Sequence, residues 1–588
     1  MNRRGFIRLL ISSATLLGTK TPLNAIATKD ILVFDEHDKR SILDYVYALI
    51  DAHFGKSEYV STPRLSQIYS AQIYESVFIS ILRGGKVVAC YGSSCKTQNQ
   101  TDGIITAIKN STAKCLRAKK SNGKLKVKYS KDIEIVVHLL ENGVRVNNDN
   151  YENLSTSIEL GIHSLKLESK NGYSWYLVHV PITRNWSLKT TLKKLSMKSD
   201  LPKYAYLSAD TKLLTYDTST FKGGRKGEIV DLYRYNIHVR DEDISQELLV
   251  ERLILARDWL LENVNPTTNR LEYMYLPVSD TYSDENNNTR HLAVLSMMTE
   301  LNIFLGDNSL KKLIKKSVDY YTTKIKSFEN HSIIDFGNDS KISYSAFMIL
   351  ALVNLPEYSE SIIKANSLAE GLLNQQRDDG SYNTSFIGKG KGIDYYPGEA
   401  MLSLMRLYEI TNDQRLLESV KKAFPWYRSY WRGNKNTAFI PWHTQVYYIL
   451  AQYDKDVNLK KFIYEMNDWL IDNYQIFESE YQDKIGGFKK KNPGNSTSSY
   501  MEGVNDAYAT AKFFGDEEQI LKYGESLRKG MRFVLQTQFT EENSFWCANP
   551  KRVIGGFRRS LTNSNQRNDY AQHAVYAIIK AYKYRAFK

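Results

Sequence analysis

Five ionisable residues in the C-terminal half of the chain have side chains suited to proton transfer. Glu399, His443 and Glu502 each stand near the start of an apolar helical segment, and Asp569 and His573 share another. Two carboxyl groups that face one cavity can divide the roles of acid and base, and an imidazole can take either role. Because Asp569 and His573 are four residues apart, they share a helix face, where the carboxylate either orients the imidazole or caps the helix. These five are the candidate catalytic residues, with helix capping and core packing as the alternatives.

Cationic, aromatic and amide side chains stand at the same helix starts and are the candidate binding groups. Guanidinium groups bind carboxylates and phosphates, and the rings of tyrosine and tryptophan offer flat faces to sugars. Packing in the core is the alternative for the aromatic residues, since the chain contains 41 tyrosines. The predicted substrate-binding residues are Arg290, His291, Tyr395, Tyr396, Trp442, Asp506, Arg567, Tyr570 and Gln572.

Six apolar helical segments carry these residues and recur throughout the chain beyond residue 245. They are TRHLAVLSMM, SYSAFMILAL, PGEAMLSLMRLY, WHTQVYYILA, MEGVNDAYATA and DYAQHAVYAI. Amphipathic segments alternate with them and begin near Gln246, Ser309, Ser359, Gln414, Asn458 and Glu517. Buried helices alternating with amphipathic ones predict an (α/α)6 toroid over 245–588, with an inner ring enclosed by an outer ring.

The connections between these helices differ in length. Links from an inner to an outer segment are brief, such as LGDNS and FGDEE, whereas three links in the other direction are long and contain glycine and aromatic residues. Long ordered loops in compact domains are usually functional. All the long links enter the N-termini of inner helices, so they gather on one face, where the helix dipoles favour anions. The sequence therefore predicts a ligand cavity at this face, the mouth of the toroid.

The N-terminal part has a different periodicity. Residues 28–64 form a helical lead-in that contains SILDYVYALIDAHFG, and residues 65–225 contain β-branched runs broken by glycine and asparagine. SVFISILRGGKVVACYG, IEIVVHLLENGVRV and YSWYLVHVPI are predicted strands, and TDGIITAIKNSTAKCLRAKK is a predicted helix between the first two. The predicted fold class is an α+β N-terminal domain followed by an all-α (α/α)6 toroid.

Residues 1–27 have the pattern of an export signal. Arg3 and Arg4 precede the apolar stretch LLISSATLLG and the small-x-small sequence Ala25-Ile26-Ala27. This resembles a twin-arginine signal; an ordinary Sec signal and a basic N-terminus are the alternatives. We expect cleavage near Ala27 and a periplasmic or secreted protein. No transmembrane segment is expected in the mature chain, since no other run approaches the length needed to span a bilayer.

Charge and cysteine content bear on the partners and on the compartment. The net charge of +14, densest in AKCLRAKKSNGKLKVKYSK, favours an anionic envelope polymer or glycan as partner, or a solvated basic surface without one. Nucleic acid is not expected for an exported protein. Cys90, Cys95 and Cys115 lie close together in the sequence, so an oxidising compartment would allow a disulfide of undetermined pairing among them. We predict no metal site, because Cys547 is the only cysteine of the toroid and an Asp-x-Asp-Asp motif is absent, and no cofactor, because the sequence contains no recognisable cofactor motif.

The sequence from roughly 70 to 220 resembles the AMMECR1 family. Val88-Ala89-Cys90-Tyr91-Gly92 stands where that family has Leu-Arg-Gly-Cys-Ile-Gly, and a valine-rich strand, LGIHSLKL, a proline-containing strand (HVPITRNW) and a helix ending near LSMKSDLP follow. The cysteine and glycine match, whereas Val88 and Ala89 replace the arginine and glycine. The family has no settled reaction, so Cys90 is a nucleophile, a small buried residue or half of a disulfide.

The sequence from about 245 to 588 resembles the six-hairpin toroids of glucuronyl C5-epimerases, N-acylglucosamine 2-epimerases and several hydrolases and lyases. DYYPGEAMLSLMRLYEITND and RNDYAQHAVYAI carry the resemblance, with the glutamine and glycine signatures LLNQQRDDGSY and IGGF beside them, but no catalytic signature is complete. The resemblance implies an epimerase, hydrolase or lyase that acts on an envelope or extracellular glycan. The alternative is a non-catalytic envelope protein whose toroid binds a polymer or protein and whose N-terminal domain docks it to a protein partner.

Overall fold

The computed structural model describes residues 34–56, 60–63, 65, 74–95, 100–118, 132–337, 339–355, 360–388, 390–489 and 491–587. The predicted export signal at 1–27, with its cleavage position near Ala27, lies outside these residues, as do residues 119–131 of the basic stretch. Within the described ranges, no helix combines the length and the apolar character needed to cross a membrane.

Within the described part of the N-terminal domain, eight antiparallel strands form one sheet. Their order is β2-β1-β3-β7-β5-β6, with β4 and β8 paired to β7. The strands are β1 (Tyr74–Arg83), β2 (Lys86–Ser94), β3 (Ile133–Glu141), β4 (Val144–Arg145), β5 (His163–Ser169), β6 (Gly172–Tyr176), β7 (Lys212–Gly223) and β8 (Ile229–Asp231). Gly84 and Gly85 form the turn between β1 and β2, and their φ angles of 53° and 71° are readily adopted by glycine.

Two helices cover one face of this sheet. α1 (Glu36–His53) packs on α2 (Gln100–Arg117), and α2 packs on β1 and β2. Alternate residues of β1 and β3, such as Ile79 and Val137, join apolar residues of both helices in one buried core. The other helices of the domain are α3 (Tyr151–Ser157), α4 (His179–Thr183) and α5 (Leu188–Lys198). The predicted α+β character of this domain is confirmed.

The expected strand in HVPITRNW is a short helix, α4, so this part of the prediction is wrong. The strand β6 ends at Tyr176, and α4 begins at His179. Pro181 lies in the first turn of α4, where the backbone N–H groups have no partner within the helix. A proline there loses no hydrogen bond, whereas in a strand it would remove one from the ladder.

Twelve helices form two concentric rings in the C-terminal domain. The inner helices are α7 (Asn288–Leu305), α9 (Ile342–Leu352), α11 (Tyr396–Thr411), α13 (Ile440–Asp454), α15 (Ser496–Phe514) and α19 (Asn568–Lys583). The outer helices are α6 (Gln246–Glu262), α8 (Lys311–Thr322), α10 (Ser361–Leu373), α12 (Gln414–Gly433), α14 (Val457–Tyr474) and α16 (Glu517–Gln536). Each inner helix contacts the next, and α19 contacts α7, so the inner ring is closed. The predicted toroid is confirmed.

Loops of very different length join the two rings. Inner helices pass to outer helices through short links, several of which begin with a left-handed residue such as Gly306 or Asn412. The returning links are long, except the six residues 434–439 between α12 and α13. The loops contain β9 (Met274–Leu276), β10 (Thr281–Tyr282), β11 (Ile325–Ser327), β12 (Ser332–Ile334), β13 (Gln566–Arg567), α17 (Glu541–Ser544) and α18 (Pro550–Val553).

The fifth inner helix begins earlier than the sequence indicates. The pattern places its start at Met501, whereas α15 begins at Ser496. The polar run Ser496–Tyr500 looks like a loop, but Thr497 accepts a hydrogen bond from the backbone N–H of Phe488 at 3.1 Å, and this tertiary contact holds the first turn. Glu502 therefore lies in the second turn of the helix, not at its start.

Three of the long loops are fastened to the next outer helix by a glutamine and a glycine. In each, the glutamine amide donates to the carbonyl of the loop glycine and to a carbonyl of that helix. The sets are Gln376, Gly380 and Ser419; Gln475, Gly486 and Ser526; and Gln538, Gly555 and Arg252. The glycines have φ angles of 91°, 84° and 89°, and a Cβ there would lie 2.4 Å or less from a helix carbonyl oxygen. The glutamine and glycine signatures thus have an architectural role.

A buried ion-pair cluster joins the two domains. The Arg234 guanidinium, 2% exposed, donates to Asp483 in the loop after α14 at 2.5 and 3.0 Å, and to Glu159 of the N-terminal domain at 2.7 Å. Lys484 donates to the other oxygen of Glu159 at 2.8 Å. Removing one partner would leave a buried charge unpaired, which is strongly unfavourable. The cluster therefore fixes the N-terminal domain against one rim of the toroid.

We predict that Gly486→Ala strongly destabilises the toroid. A left-handed conformation costs an alanine about 1–2 kcal/mol, and overpacking adds roughly 1–3 kcal/mol. The new methyl group would overlap the Lys529 carbonyl oxygen, 1.8 Å away. Gly515→Ala is the matched control, because Gly515 has a φ of 66° and nothing within 4 Å of its Cβ position. Urea unfolding of the two variants measures the difference, and equal losses at both positions would contradict this role of the glycine.

Candidate active site

A cavity of about 420 Å³ lies at the mouth of the toroid, and all six inner helices contribute to its lining. The contributing elements follow from the fold, because the closed inner ring brings six helix N-terminal regions to one rim. The predicted residues that line it are Arg290, Tyr395, Tyr396, Glu399, Trp442, Arg567, Asp569, Tyr570, Gln572 and His573. The structure therefore brings together most of the residues chosen from the sequence, from helices far apart in the chain.

Glu399 is a buried carboxyl group on the wall of this cavity. It lies in the first turn of α11, where Pro397 is tolerated because the first N–H groups have no intrahelical partner. Its side chain is 4% exposed, and among the described residues its Oε2 atom has no hydrogen-bond partner. Burial raises the pKa of Glu399 well above its usual value. The residue is therefore a neutral acid over a wide pH range and can donate a proton to a ligand.

Glu502 and His573 form a close pair beside the cavity. His573 Nδ1 lies 2.5 Å from Glu502 Oε1, and Glu502 is only 1% exposed. Burial raises the pKa of Glu502, and the adjacent imidazole of His573 opposes part of this rise. Since Nδ1 is held by the carboxyl group, Nε2 is the ring nitrogen left for a ligand. The geometry therefore presents Nε2 of His573 as the atom that could accept a proton from a ligand.

Asp569 holds two arginines at the rim and is not the partner of His573. Arg567 donates to both of its carboxylate oxygens, at 2.6 and 2.9 Å, and Arg290 approaches it at 2.9 Å. Because Asp569 and His573 share a helix face, Asp569 could either orient the imidazole of His573 or cap the helix. In the structure, Glu502 and not Asp569 contacts the imidazole. The Arg290–Asp569–Arg567 cluster places two guanidinium groups on the cavity wall with their charge partly neutralised.

Four predicted residues lie outside the cavity lining. His443 is fully buried behind Gly398, its Nδ1 lies 2.9 Å from the Phe439 carbonyl oxygen, and burial lowers its pKa to about 3. His291 Nδ1 lies 3.1 Å from the Asn568 amide, and burial lowers the pKa of His291 to about 4. Both imidazoles are thus neutral and packed within the ring.

Asp506 and Glu502 are the other two predicted residues outside the cavity lining. Both lie further along α15 from its start than the sequence indicated. Asp506 pairs with Lys580 of α19 and accepts a hydrogen bond from the Tyr584 hydroxyl at 2.7 Å. These contacts cross-link two inner helices below the mouth. The early start of α15 accounts for the difference, because it moves both acids down the ring.

Several lining residues were missed by the sequence analysis. They are Asn287, Thr289, Ala293, Phe347, Ala438, Asn495, Ser496, Ser499 and Tyr500. Three of them, Ser496, Ser499 and Tyr500, belong to the first turns of α15 that the sequence pattern assigned to a loop. The motif STSSY after Pro493 and Gly494 was the available signal, since serine and threonine favour helix starts.

Cys90, the cysteine of the AMMECR1-like motif, is a free thiol on β2. Among the described residues no disulfide joins any two of Cys90, Cys95 and Cys115, so the disulfide that the sequence allowed among them is not present. Cys90 Sγ accepts a hydrogen bond from the Ser80 hydroxyl at 3.1 Å, and burial raises the pKa of this thiol. A raised thiol pKa disfavours the thiolate, so the geometry favours a packing role for Cys90 over a nucleophilic one.

Comparison with known proteins finds a family model for the N-terminal domain only. Residues 43–221 match the model of the AMMECR1 family. No curated protein matches the chain.

Among solved structures, an uncharacterised protein of Pyrococcus horikoshii shares 15% identity over 34% of this chain and 98% of its own, with a TM-score of 0.30. A D-mannose isomerase shares 11% over 58% of this chain and 98% of its own, with a TM-score of 0.45. A family 76 glycoside hydrolase from a bovine Bacteroides thetaiotaomicron strain shares 11% over 76% and 96%, with a TM-score of 0.44. These likenesses carry no assignment of a reaction. The chain thus joins an N-terminal domain that matches the AMMECR1 family model to a six-hairpin helical toroid.

Proposed function

We propose that the toroid is an acid–base enzyme that acts on a carbohydrate. The observation that carries the proposal is the pairing, on one cavity, of a buried neutral acid, Glu399, with an imidazole, His573, whose Nδ1 is held by Glu502. General acid–base catalysis requires one group that retains its proton and one that accepts a proton at the same pH. Burial provides the first condition and the Glu502–His573 hydrogen bond provides the second.

The lining of the cavity supports a sugar as the ligand. Tyr395, Tyr396, Trp442, Tyr500 and Tyr570 offer aromatic faces of the kind that pack against the apolar side of a pyranose ring. Asparagine, serine, threonine and glutamine side chains stand between them and can donate to and accept from hydroxyl groups. A cavity lined by rings and by neutral hydrogen-bonding groups suits a ligand with many hydroxyl groups.

Each polar group has a distinct part in the proposed reaction. Glu399 donates its proton to a sugar oxygen or to a carbon, and His573 Nε2 removes a proton from the substrate or from a water molecule. Glu502 is a positioning residue, because it acts through the imidazole of His573. The same pair serves epimerisation, elimination or hydrolysis, and the product distinguishes among the three. With export through the signal at 1–27, the substrate would be a glycan of the envelope or of the surroundings.

We predict that Glu399→Gln changes the pH dependence of stability. An unfolded glutamate loses its proton near 4.5, whereas folded Glu399 retains it to a much higher pH. Between these values the native state holds a proton that the unfolded state lacks, so the wild type loses stability as pH rises through this window. The glutamine variant has no such loss and should gain in Tm relative to the wild type as pH increases from 4.5. The exposed Glu478→Gln is the control, and a Tm difference independent of pH would argue against a protonated Glu399.

We predict that Glu399→Gln and His573→Asn each lower kcat by about 10²–10⁴-fold, the range for loss of a general acid or base. Activity is assayed on a panel of glycans, with product analysis for an epimerised sugar, an unsaturated sugar or a new reducing end. The wild-type rate should fall at high pH as Glu399 loses its proton, and this limb should be absent from the residual activity of Glu399→Gln. Glu478→Gln should retain full activity. Full activity in both cavity variants on a substrate of the wild type would refute the assignment.

A further inference from the structure

A second cavity, of about 710 Å³, lies between the AMMECR1-family domain and the toroid. We call it the interdomain groove. Its N-terminal wall is the segment from Asn185 to Leu188, which includes Trp186, and its other wall is formed by the toroid loops before α15 and α19. The function proposed for the toroid cavity makes no use of this groove.

The interdomain groove adjoins the toroid cavity. Asn495, Ser496 and Tyr570 line both of them. These three residues lie at the starts of α15 and α19, where the mouth of the toroid faces the N-terminal domain. A chain-like ligand with one unit in the toroid cavity has only these three residues to cross before it reaches the groove.

The groove has a marked positive charge. Lys489, Lys491 and Arg559 line it, all three are exposed, and none of the described lining residues is acidic. Across the residues that the structure describes, none of these three cations forms an ion pair. Cations elsewhere on the toroid surface commonly do, as Lys522 does with Asp468 and Asp472. The groove thus keeps its charge available for an anionic ligand.

The walls of the groove are held in a fixed relation. The Asn185 side chain accepts hydrogen bonds from the backbone N–H and the hydroxyl of Ser564, both at 2.9 Å, and donates to Asn565 at 2.8 Å. The ring of Trp186 packs edge-on against Tyr176 at a centroid distance of 5.6 Å. The Trp186 ring and the backbone of the two walls are therefore preorganised, which reduces the entropy lost when a ligand binds.

We propose that the interdomain groove binds a carboxylated polysaccharide that extends from the toroid cavity, with Lys489, Lys491 and Arg559 pairing with its carboxylates and Trp186 packing on a sugar ring. This inference rests on the proposed function of the toroid and adds the substrate class: an anionic glycan longer than the toroid cavity alone accommodates. The AMMECR1-family domain is then part of the substrate-binding surface.

Binding of polygalacturonate and of digalacturonate, measured by calorimetry at low salt, tests the proposal. All proteins carry Glu399→Gln to reduce turnover, and product analysis after each titration checks that the ligand is intact. The groove variant combines Lys489→Ala, Lys491→Ala and Arg559→Ala. The matched control combines Lys311→Ala, Lys312→Ala and Lys316→Ala, which removes three exposed cations from the outer helix α8. Dextran is the uncharged polymer, and alginate and hyaluronan are further carboxylated ones.

We expect the groove variant to bind polygalacturonate about tenfold more weakly, since three surface ion pairs of modest strength together reach this factor. Its affinity for digalacturonate should be unchanged, and the α8 control should match the parent with both ligands. Trp186→Ala should weaken polygalacturonate binding without changing its dependence on salt.

Equal losses in the groove variant and the α8 control would overturn the proposal, because they would indicate non-specific attraction to a basic protein. The proposal also fails if every carboxylated polymer binds no better than dextran. Because each titration is checked for intact ligand, these results are independent of the acid–base assignment. If the groove variant binds more weakly than the α8 control while Glu399→Gln keeps full activity, the proposed catalytic roles are refuted. The proposal that the groove binds the polysaccharide would then still hold.

Discussion

The contact between α19 and α7 closes the inner ring, and the candidate active site depends on this closure. Glu399 belongs to the third inner helix and His573 to the last, so only a closed ring places both on one cavity. Closure also gives the ring its apolar interior, in which carboxyl groups lose solvation. The same packing that stabilises the toroid therefore keeps Glu399 protonated, so architecture and chemistry have one physical cause.

The order of the helices was predictable from the sequence, because burial on all sides and burial on one side leave different patterns of apolar residues. Each outer helix starts within two residues of its predicted position. Ten lining residues were also predictable, since helix starts next to long loops must lie at the mouth. What could not be predicted was how deep each residue lies in the ring. Glu502 and Asp506 lie deeper than Glu399 because α15 begins earlier than its apolar pattern indicates. A hydrogen bond from Phe488, which lies in the preceding loop, to Thr497 holds this early first turn.

The partners of individual side chains could likewise not be predicted from the sequence. Spacing favours Asp569 as the neighbour of His573, yet Glu502 on another helix holds the imidazole, and Asp569 takes two arginines. A spacing of four residues defines a common helix face but not which neighbouring helix presents the better partner. Pro181 shows the same limit locally, because a proline is compatible both with an edge strand and with the first turn of a helix.

The loops before α15 and α19 connect the two halves of the molecule. In the first, Gln475 and Gly486 anchor the loop to α16, Asp483 pairs with Arg234 at the domain junction, and Lys489 reaches the interdomain groove. The second loop is anchored in the same way and contacts the first where the Asn495 N–H donates to the Arg559 carbonyl at 3.0 Å. A loop held at both ends fixes the backbone position from which an exposed cation extends into the groove. The glutamine and glycine anchors line neither cavity, but they thereby determine where the groove presents its charge.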